Sequence, residues 1–472
     1  MSVTNVILAG LRDLEWVVLV YFVAVNSFYL LLLSSAAREM WEHALSVRGE
    51  SRSRLLGSPA VPRIGILAPA YNESATIEDS VRGFLALLYP NLEVVVVNDG
   101  SPDETMDVLK RRFELAPVHT VYDQQIPTKP VRQLYRSTLH PNLLVVDKEN
   151  GGKADALNVA LNFSTADLVC SIDADTLIEQ DSLQRMLRPF LQSRRIVAAG
   201  GTIRVANGAT IRGGRILELN APTTPLAGFQ VIEYLRAFLF GRLGWNRLGG
   251  NLIISGAFGL FRRDAVLRIG GYLHDTVGED MELVLRLRRY GYDNDVERDV
   301  SFMPDPVAWT EVPESARVLG RQRDRWHRGL SDVLWRHRAV LFNPRYGAMG
   351  MVAFPYFVFV ELLAPVIEAV GLIGCVVGLL VGAVNWQFAI LFLTLAHGFG
   401  LLLSLLTLVL EELTYHRYSG LRDRALLVMW AALENLGYRQ LTVVWRLRGI
   451  LKYLQGRKDW GAMERRGLDR GP

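Results

Sequence analysis

The sequence predicts an α/β domain with apolar helices on either side of it that enter a membrane. Short β-rich apolar runs at residues 64–68, 92–97, 143–146, 168–172 and 197–199 alternate with helical stretches. Apolar runs before and after this region are about as long as the roughly 20 residues that cross a bilayer core. Strands that alternate with helices favour a mostly parallel sheet, in which ligands bind beyond the carboxyl ends of the strands.

Composition agrees with this division of the chain. Of 472 residues, 50% are hydrophobic and 21% are charged, which is too many charges for a protein made only of membrane helices. The two cysteines, Cys170 and Cys375, lie in apolar runs and are expected to be buried, and so few exclude a disulfide framework. The domain is therefore expected to face a reducing compartment. The basic excess flanks the apolar runs and favours a lipid bilayer over nucleic acid as the partner.

The apolar run at residues 16–34 is interpreted as a membrane anchor. It lacks a small-residue cleavage site, which distinguishes it from a signal peptide. Arg38, Arg48, Arg52 and Arg54 follow it, so the positive-inside rule places the residues after it in the cytosol. The predicted units are an anchor at residues 1–35 and a linker at residues 36–61, followed by the α/β domain at residues 62–345.

Residues 346–450 are predicted to hold transmembrane and interfacial helices, followed by a basic cytosolic tail at residues 451–472. Residues 350–384 contain two prolines and are expected to form an interfacial segment that leads into a spanning helix. Residues 386–410 are predicted to form a further span. Residues 425–445 are apolar but interrupted by polar residues, and a crossing there would place the basic tail outside. They are therefore predicted to lie along the cytosolic face as one amphipathic helix.

Polar residues follow the predicted strands where a parallel sheet binds its ligands. The first strand leads into Ala68-Pro69-Ala70-Tyr71-Asn72-Glu73, a turn suited to cradling a base, and the second ends at Asn98-Asp99-Gly100. The fourth ends at Asp173-Ala174-Asp175, whose two carboxylates lie on the same side of a strand. Such a pair suits Mg²⁺ or Mn²⁺ completed by substrate phosphates, and the alternative is a solvated acidic pair at a turn.

Asn150-Gly151-Gly152-Lys153 precedes a helical run and is a candidate phosphate loop. Glycines permit close backbone approach, a helix N-terminus attracts anions, and Lys153 adds a positive charge. The alternative is a helix-entry loop with a surface lysine.

Two further clusters suggest chemistry. Gly278-Glu279-Asp280 opens a helical stretch and either caps the helix or supplies a general base. Gln322-Arg323-Asp324-Arg325-Trp326 precedes the membrane region and either contacts lipid or binds phosphate and stacks on a ligand.

Together these motifs resemble, in order and rough spacing, those of the membrane-embedded family 2 glycosyltransferases, which include cellulose, hyaluronan and bacterial poly-N-acetylglucosamine synthases. The last group is the most similar, because residues 146–158 and 434–441 also resemble its segments. The resemblance covers about residues 62–450 and implies a GT-A fold for the α/β domain. Any one of the motifs is weak evidence, but the set is specific.

The resemblance also implies a role for individual residues. Asp280 is expected to be the catalytic base, and Asp175 and Asp173 to hold the metal. The nucleotide-sugar is expected to contact Ala68, Tyr71, Glu73, Asp99, Lys153, Asp173, Gln322, Arg325 and Trp326. The acceptor is expected to contact Ser255, Gly256, Ala257, Glu279 and Trp326. The chain departs from the usual motifs at Asn98, where the family has Asp, and at Gly278, where it has Thr. The second departure is expected to loosen the loop before the base.

The expected function is an inverting transfer of a sugar onto a growing β-linked exopolysaccharide. The preferred sugar is N-acetylglucosamine, taken from UDP-N-acetylglucosamine. The enzyme is expected to be a multi-pass protein of the inner membrane with its catalytic domain in the cytosol. The few apolar segments leave two alternatives: assembly of a pore with a partner subunit or a second copy, or addition of one sugar to a lipid-linked acceptor. A non-catalytic membrane receptor for nucleotide-sugars is a third alternative. A transporter, suggested by Glu361 and Glu368, is a fourth.

Overall fold

A computed structural model of the chain describes residues 3–47, 61–119, 122–212, 215–382, 386–418 and 420–457. The strands within this part of the chain are β1 Ile64–Ala70, β2 Leu92–Asn98, β3 Leu115–Val118, β4 Val131–Ser137, β5 Leu143–Lys148, β6 Leu168–Ile172, β7 Leu177–Ile178, β8 Ile196–Val205, β9 Ala209–Arg212, β10 Arg215–Leu219, β11 Phe258–Arg262 and β12 Asp299–Thr310. All but β9 and β10 join one mixed sheet in the order β3-β4-β5-β2-β1-β6-β11-β8-β12-β7, and β9 and β10 form a separate hairpin.

The helices in the described ranges are α1 Val3–Val47, α2 Ile77–Leu85, α3 Thr105–Phe113, α4 Lys153–Phe163, α5 Ser182–Gln192, α6 Pro225–Leu235, α7 Leu243–Leu248, α8 Arg263–Arg268, α9 Glu279–Asn294, α10 Ala316–Arg336, α11 Ala364–Leu380, α12 Trp386–Thr414, α13 Leu421–Leu433 and α14 Tyr438–Leu454. A π-helical segment, Arg236–Arg242, joins α6 to α7. A further helical segment, Met349–Leu362, precedes α11.

The predicted α/β fold is confirmed, but the sheet is less parallel than expected. Strands β5, β2, β1 and β6 pair in parallel, and so do β8 and β12. The other pairings are antiparallel, because β11 inserts between β6 and β8, β7 pairs antiparallel with β12, and β3 and β4 cover the opposite edge.

The parallel block is buried on both faces, which fixes the position of the strand ends. In β2, Val94 and Val96 pack into one hydrophobic core, while Val95 and Val97 pack into a second core on the opposite face. Successive side chains of a strand point to opposite faces, so a continuous run of valines requires a cover on each face. Helix α4 contributes Leu157 to the second core. The carboxyl ends of β1, β2, β5 and β6 therefore meet at one edge.

Two helical stretches of the described chain, Glu15–Ser46 and Phe392–Thr414, are long and apolar enough to cross a membrane. Segment Met349–Leu362 and α11 pass the same test together but are bent by 41°, so they form either a broken span or a re-entrant loop. The prolines that suggested an irregular segment lie here, with Pro365 in the first turn of α11.

Residues 36–47 are not the linker that the sequence suggested. Helix α1 continues through them, and Ala36 and Met40 are buried in the same core as the sheet. Their apolar side chains pack against the α/β domain. The rest of the predicted linker, with Arg48, Arg52 and Arg54, lies outside the described residues, as does most of the predicted tail.

Residues 425–445 do not form one continuous helix. They are divided between α13 and α14 by a turn in which Gly437 has φ 88°. Glu434 at this turn is buried and forms an ion pair with Arg236 and a hydrogen bond with Ser404. The polar interruption is thus a buried contact, and α14 packs against α10.

The prediction that both cysteines are buried is half right. Cys170 is buried in β6, but Cys375 is exposed on α11. Much of the apolar surface of α11 has no protein packed against it, as is typical of a helix that faces lipid.

Candidate active site

Asp99 lies at the carboxyl end of β2, and its carboxylate is neutralised within the chain. Its Oδ1 accepts hydrogen bonds from Lys148 Nζ and from the Gly151 amide at 2.9 Å. Its Oδ2 accepts one from the Gly152 amide at 2.7 Å and one from the Asn150 side chain at 3.3 Å. A carboxylate has about four lone-pair positions. Asp99 therefore holds the candidate phosphate loop against the end of β2.

Lys148 connects this carboxylate to a second one. Its ammonium is 0% exposed and also lies 2.9 Å from Asp155 Oδ2 on α4. Asp155 in turn accepts a hydrogen bond from the Lys129 amide. Sequence reasoning assigned no role to Lys148 or Asp155. The available signal was a lysine at the end of an otherwise apolar strand, because a buried lysine requires a partner.

The residues expected to hold the nucleobase of the donor surround the end of β1. The side chain of Ala68 is completely buried in the core, so only its backbone is available to a ligand. Tyr71 is exposed beyond the strand, where a stacking residue can reach a base. Glu73 is buried and accepts a hydrogen bond from the Thr76 hydroxyl at 2.9 Å.

Asn98 is explained by its neighbour in the sheet. It lies opposite Asp147 of β5, and its amide nitrogen donates a hydrogen bond of 2.7 Å to the Asp147 carboxylate. An aspartate at this position would place two carboxylates in contact, and one of them would have to take up a proton. The amide avoids that repulsion.

Asp173 and Asp175 follow β6, where both side chains are partly exposed. Asp173 Oδ1 lies 2.6 Å from Lys153 Nζ, the lysine of the candidate phosphate loop. Burial, and next the charge of Asp173, raise the pKa of Asp175 to about 7. Burial lowers the pKa of Lys153, but the nearby carboxylates Asp173 and Glu279 raise it by more, so Lys153 remains charged.

These carboxylates suit a divalent cation. Among the described residues, no three His, Cys, Asp or Glu side chains form a cluster that holds a metal by itself. Two carboxylates are nevertheless the usual protein share of a Mg²⁺ or Mn²⁺ site that phosphates and water complete. Burial, and next the charge of Asp173, disfavour the charged form of Asp175. A cation bound at this place would favour the charged form.

Asp280 lies in the first turn of α9 beside the predicted acceptor loop. Its Oδ2 accepts a hydrogen bond of 3.1 Å from the Gly256 amide. Glu279 is buried with its carboxylate 3.4 Å from Lys153, and burial raises the pKa of Glu279. A small cavity lies between these groups, and its lining includes Lys153, Ser255, Gly256, Glu279 and Asp280. The structure thus brings together the predicted base, part of the acceptor loop and the diphosphate lysine. Ala257 follows in the loop and is only partly exposed, outside the cavity lining.

The sequence suggested that Gly278 would loosen the loop before Asp280. In the structure this glycine is instead tightly packed. It is buried, and its backbone packs against Gly329 of α10. A Cβ atom at Gly329 would lie 3.0 Å from the Gly278 Cα and 3.1 Å from its nitrogen. The two glycines allow α9 and α10 to approach so closely that the base and the Gln-Arg-Trp motif keep a fixed relation.

Helix α10 separates its motif into two sets of residues. Arg323 pairs with Glu233 of α6 at 2.7 Å, and Asp324 pairs with Lys452 of α14. Gln322, Arg325 and Trp326 have the spacing of one helix face, and Trp326 is 43% exposed. Burial lowers the pKa of Arg325, and Glu279, Asp173 and Asp280 oppose that change, which places Arg325 in the field of the site. Arg323 and Asp324 thus anchor the helix that carries the other three.

Comparison with solved structures supports the fold. A mannosyltransferase from Pyrobaculum calidifontis, solved in complex with GDP-Man and Mn²⁺, superimposes with a TM-score of 0.53. It is 20% identical, and the match covers 90% of this chain and 99% of that one. The mixed α/β sheet is of the GT-A type. Residues 66–270 match the family described as Glycosyl transferase family 2, so the chain contains a glycosyl transferase family 2 domain.

The names of curated relatives are more specific about function than the family description. The poly-beta-1,6-N-acetyl-D-glucosamine synthase of Staphylococcus aureus (strain COL) is 30% identical over 274 residues, which are 58% of this chain and 56% of the relative. The protein of the same name from Staphylococcus epidermidis is 28% identical over 277 residues, with the same shares of the two chains. The chain thus spans about half the length of the curated relatives that it matches.

Proposed function

We propose that this chain is a membrane-bound, inverting glycosyltransferase that moves a sugar from a nucleotide-sugar onto a hydroxyl acceptor. The observation that carries the proposal is the juxtaposition of three groups in one cluster. Lys153 lies 2.6 Å from Asp173 and 3.4 Å from Glu279, and Asp280 follows Glu279 in the chain. Lys153, a candidate diphosphate cation, and Asp280, the candidate base, line one cavity, and Lys153 is also paired with the candidate metal carboxylate Asp173.

The donor is proposed to be UDP-N-acetylglucosamine, because the curated relatives are named for that sugar. The base of the nucleotide lies at the end of β1, near Tyr71 and Glu73. Lys153 and Arg325 bind its diphosphate, with Gln322 and Trp326 on the same helix face. Asp99 serves by holding the phosphate loop in place, since its own hydrogen bonds are already made.

The reaction follows from these positions. The acceptor hydroxyl gives its proton to Asp280 as its oxygen attacks the anomeric carbon from the face opposite the diphosphate. A new carbon–oxygen bond forms, the bond to the diphosphate breaks, and the nucleoside diphosphate leaves with the electron pair. Lys153 offsets the negative charge that grows on the leaving group. A Mg²⁺ or Mn²⁺ ion held by Asp173 and Asp175 would act there as a Lewis acid.

The protein is proposed to work at the cytosolic face of the inner membrane as a multi-pass protein. The two candidate spans and the bent helical pair support membrane insertion. The acceptor is proposed to be a growing β-linked polysaccharide, with Ser255, Gly256 and Trp326 beside its end. The small number of candidate spans among the described residues favours a second candidate, addition of one sugar to a lipid-linked acceptor. A pore built from several copies would again favour the first candidate, a growing polysaccharide as the acceptor.

The test uses the purified full chain in lipid with a panel of nucleotide-sugars and Mg²⁺ or Mn²⁺. Metal-dependent release of UDP from one donor is the expected result, and that donor identifies the sugar. Sizing the product then separates the two candidates, since a ladder of oligomers indicates a synthase and one added sugar indicates the lipid-linked acceptor. Nucleotide binding without release from any donor would contradict the proposal and leave a non-catalytic receptor.

A further inference from the structure

Three side chains at intervals of four lie along the helix that crosses from α6 into the π-helical segment. They are Tyr234, Phe238 and Arg242. The ring centroids of Tyr234 and Phe238 are 5.7 Å apart, and the Arg242 guanidinium lies 4.6 Å from the Phe238 ring centroid. The contacts show that the three share one face. We name this set the Tyr234–Arg242 row. π-Helical segments are found often at functional sites.

The row reaches the site through a hydrogen bond of Arg242 to the loop before Asp280's partner Gly256. Arg242 Nη1 donates a hydrogen bond of 3.4 Å to the Ile253 carbonyl. Three residues later in the same loop, the Gly256 amide donates to Asp280. The loop at residues 253–256 therefore connects Arg242 to the candidate base. The charge of Asp280 acts on Arg242, and that of Asp175 acts on Tyr234.

Arg242 has donors that the described part of the chain does not use. A guanidinium carries five N–H donors, and among the described residues the Ile253 carbonyl is the single acceptor within reach of this one. Burial lowers the pKa of Arg242 to about 10, yet its side chain remains partly exposed. By contrast, Arg288 donates to the carbonyls of Asn251 and Gly249. The Tyr234 hydroxyl likewise forms no hydrogen bond with the described residues.

A cation with unused donors beside a catalytic base suits a ligand that brings oxygen atoms. The donor diphosphate already meets Lys153 and Arg325, so it does not require Arg242. The acids Asp280 and Glu361 act on Arg242, so an additional anion would meet repulsion there. A neutral sugar, with ring hydroxyls for the guanidinium and an apolar face for an aromatic ring, is the ligand that fits.

We propose that the Tyr234–Arg242 row is an acceptor subsite, which holds the sugar that precedes the reacting end of the acceptor. It rests on the proposed glycosyl transfer. Arg242 and Tyr234 act as specificity-determining residues: they orient the acceptor so that its terminal hydroxyl reaches Asp280, and they take no part in holding the donor.

The test separates acceptor binding from donor binding. The full chain in lipid is assayed with the active donor, first without acceptor for slow nucleotide release to water, and then with increasing concentrations of a short β-1,6-linked N-acetylglucosamine oligosaccharide. Arg242→Gln is expected to raise the acceptor KM by about 10- to 100-fold, the usual range for losing hydrogen bonds to a charged group. The donor KM is expected to stay within about twofold of wild type, because Lys153 and Arg325, and not Arg242, are proposed to bind the donor.

Arg247→Gln is the matched control, because Arg247 lies on α7 but pairs with Glu42 and Glu39 of α1. It is expected to leave the acceptor KM unchanged. Arg242→Lys keeps the charge but loses the planar set of N–H donors, so it is expected to give a smaller rise in the acceptor KM. If Arg242→Gln does not fold, the acceptor KM of Arg242→Lys tests the subsite by itself.

An unchanged acceptor KM in both Arg242 variants would overturn the subsite, and so would an equal rise in the donor KM. A wild-type protein that releases no nucleotide from any donor would contradict the proposed function instead, so the two failures are distinguishable.

Discussion

At the Asp99 end of the site, hydrogen-bond donors of the chain surround the carboxylate, whereas at the Asp280 end several carboxylates lie around one lysine. Asp99 and Asp155 share the buried Lys148, and two backbone amides complete the Asp99 carboxylate. At the other end, Asp173 and Glu279 both approach Lys153, while Asp175 and Asp280 lie close by. The first end thus binds one carboxylate with several donors, and the second places several carboxylates near one lysine.

This difference separates two roles. Groups that are already paired hold the strand ends and the phosphate loop in position, so their loss is expected to affect stability first. Groups that crowd one another around Lys153 are proposed to serve a metal, a diphosphate and a proton transfer, so their loss is expected to affect turnover first. The predictions below test whether the two ends differ in this way.

Among the variants that compare the two ends, the largest effect is expected from Asp175→Asn. The change removes one metal carboxylate, so metal-dependent turnover should fall by about 10²–10³-fold, as when one charge-stabilising group is lost from an active site. The melting temperature should stay the same or rise, because a crowded and partly buried carboxylate disappears. Steady-state assays over a Mn²⁺ titration and thermal unfolding measure both. Asp107→Asn, on the exposed side of α3, is the control. Unchanged turnover would remove Asp175 from the metal site.

Lys148→Met should have the opposite effect, a loss of stability before any loss of turnover. It leaves two buried carboxylates without their shared cation, and breaking a buried ion pair costs about 3–5 kcal/mol of the free energy of unfolding. Denaturant unfolding of the protein in detergent or lipid would measure the loss. Lys129→Met removes an exposed side chain nearby and should change stability by less than about 0.5 kcal/mol. A stable Lys148→Met protein would show that the Asp99 end is not held by this network.

Gly329→Ala tests the contact that joins the two helices. The added Cβ would lie 3.0 Å from Gly278, so α9 and α10 must separate, at a cost of about 1–3 kcal/mol. Because the shift moves Asp280 relative to Arg325, turnover should fall by roughly tenfold. Gly83→Ala, where nothing lies within 4 Å of the added atom, is the control. Equal turnover of both variants would show that the close approach does not position the base.

The smallest effect is expected from Asn98→Asp. The new carboxylate faces Asp147, which raises the pKa of the pair, so the protein should lose about 1–2 kcal/mol of stability at pH 8. A group whose pKa is raised regains its stability as the pH falls and it becomes protonated, so the loss should shrink at pH 5. The double variant Asn98→Asp with Asp147→Asn should restore stability at both values. A loss that does not depend on pH would contradict this explanation.

Much of the fold followed from local patterns. The apolar runs marked β1, β2, β5 and β6 because parallel strands buried on both faces are continuously hydrophobic. The motif residues at the ends of these strands are brought to one edge, since parallel strands end on the same side. Their functional roles remain predictions until the variants are measured.

Other features depend on contacts between distant residues. The antiparallel insertion of β11 is decided by its neighbours β6 and β8. Lys148 becomes a structural residue only when the end of β2 and helix α4 bring two carboxylates to it. Glu434 looked like an interruption of an amphipathic helix, and its partner Arg236 lies almost 200 positions earlier. No local pattern contains such pairings.

The most direct test of the account is the turnover of Asp280→Asn beside wild type, with donor binding measured on the same samples. The account predicts a fall in turnover of about 10²–10⁴-fold, the range for losing a general base. The affinity for UDP should not fall, because the change removes a negative charge that acts on Lys153 and leaves the hydrogen bonds between Asp99 and the phosphate loop in place. The melting temperature should be unchanged, because the asparagine keeps an oxygen for the Gly256 amide. Near wild-type turnover would contradict the assignment of the base and, with it, the division of the site into a structural end and a reactive end.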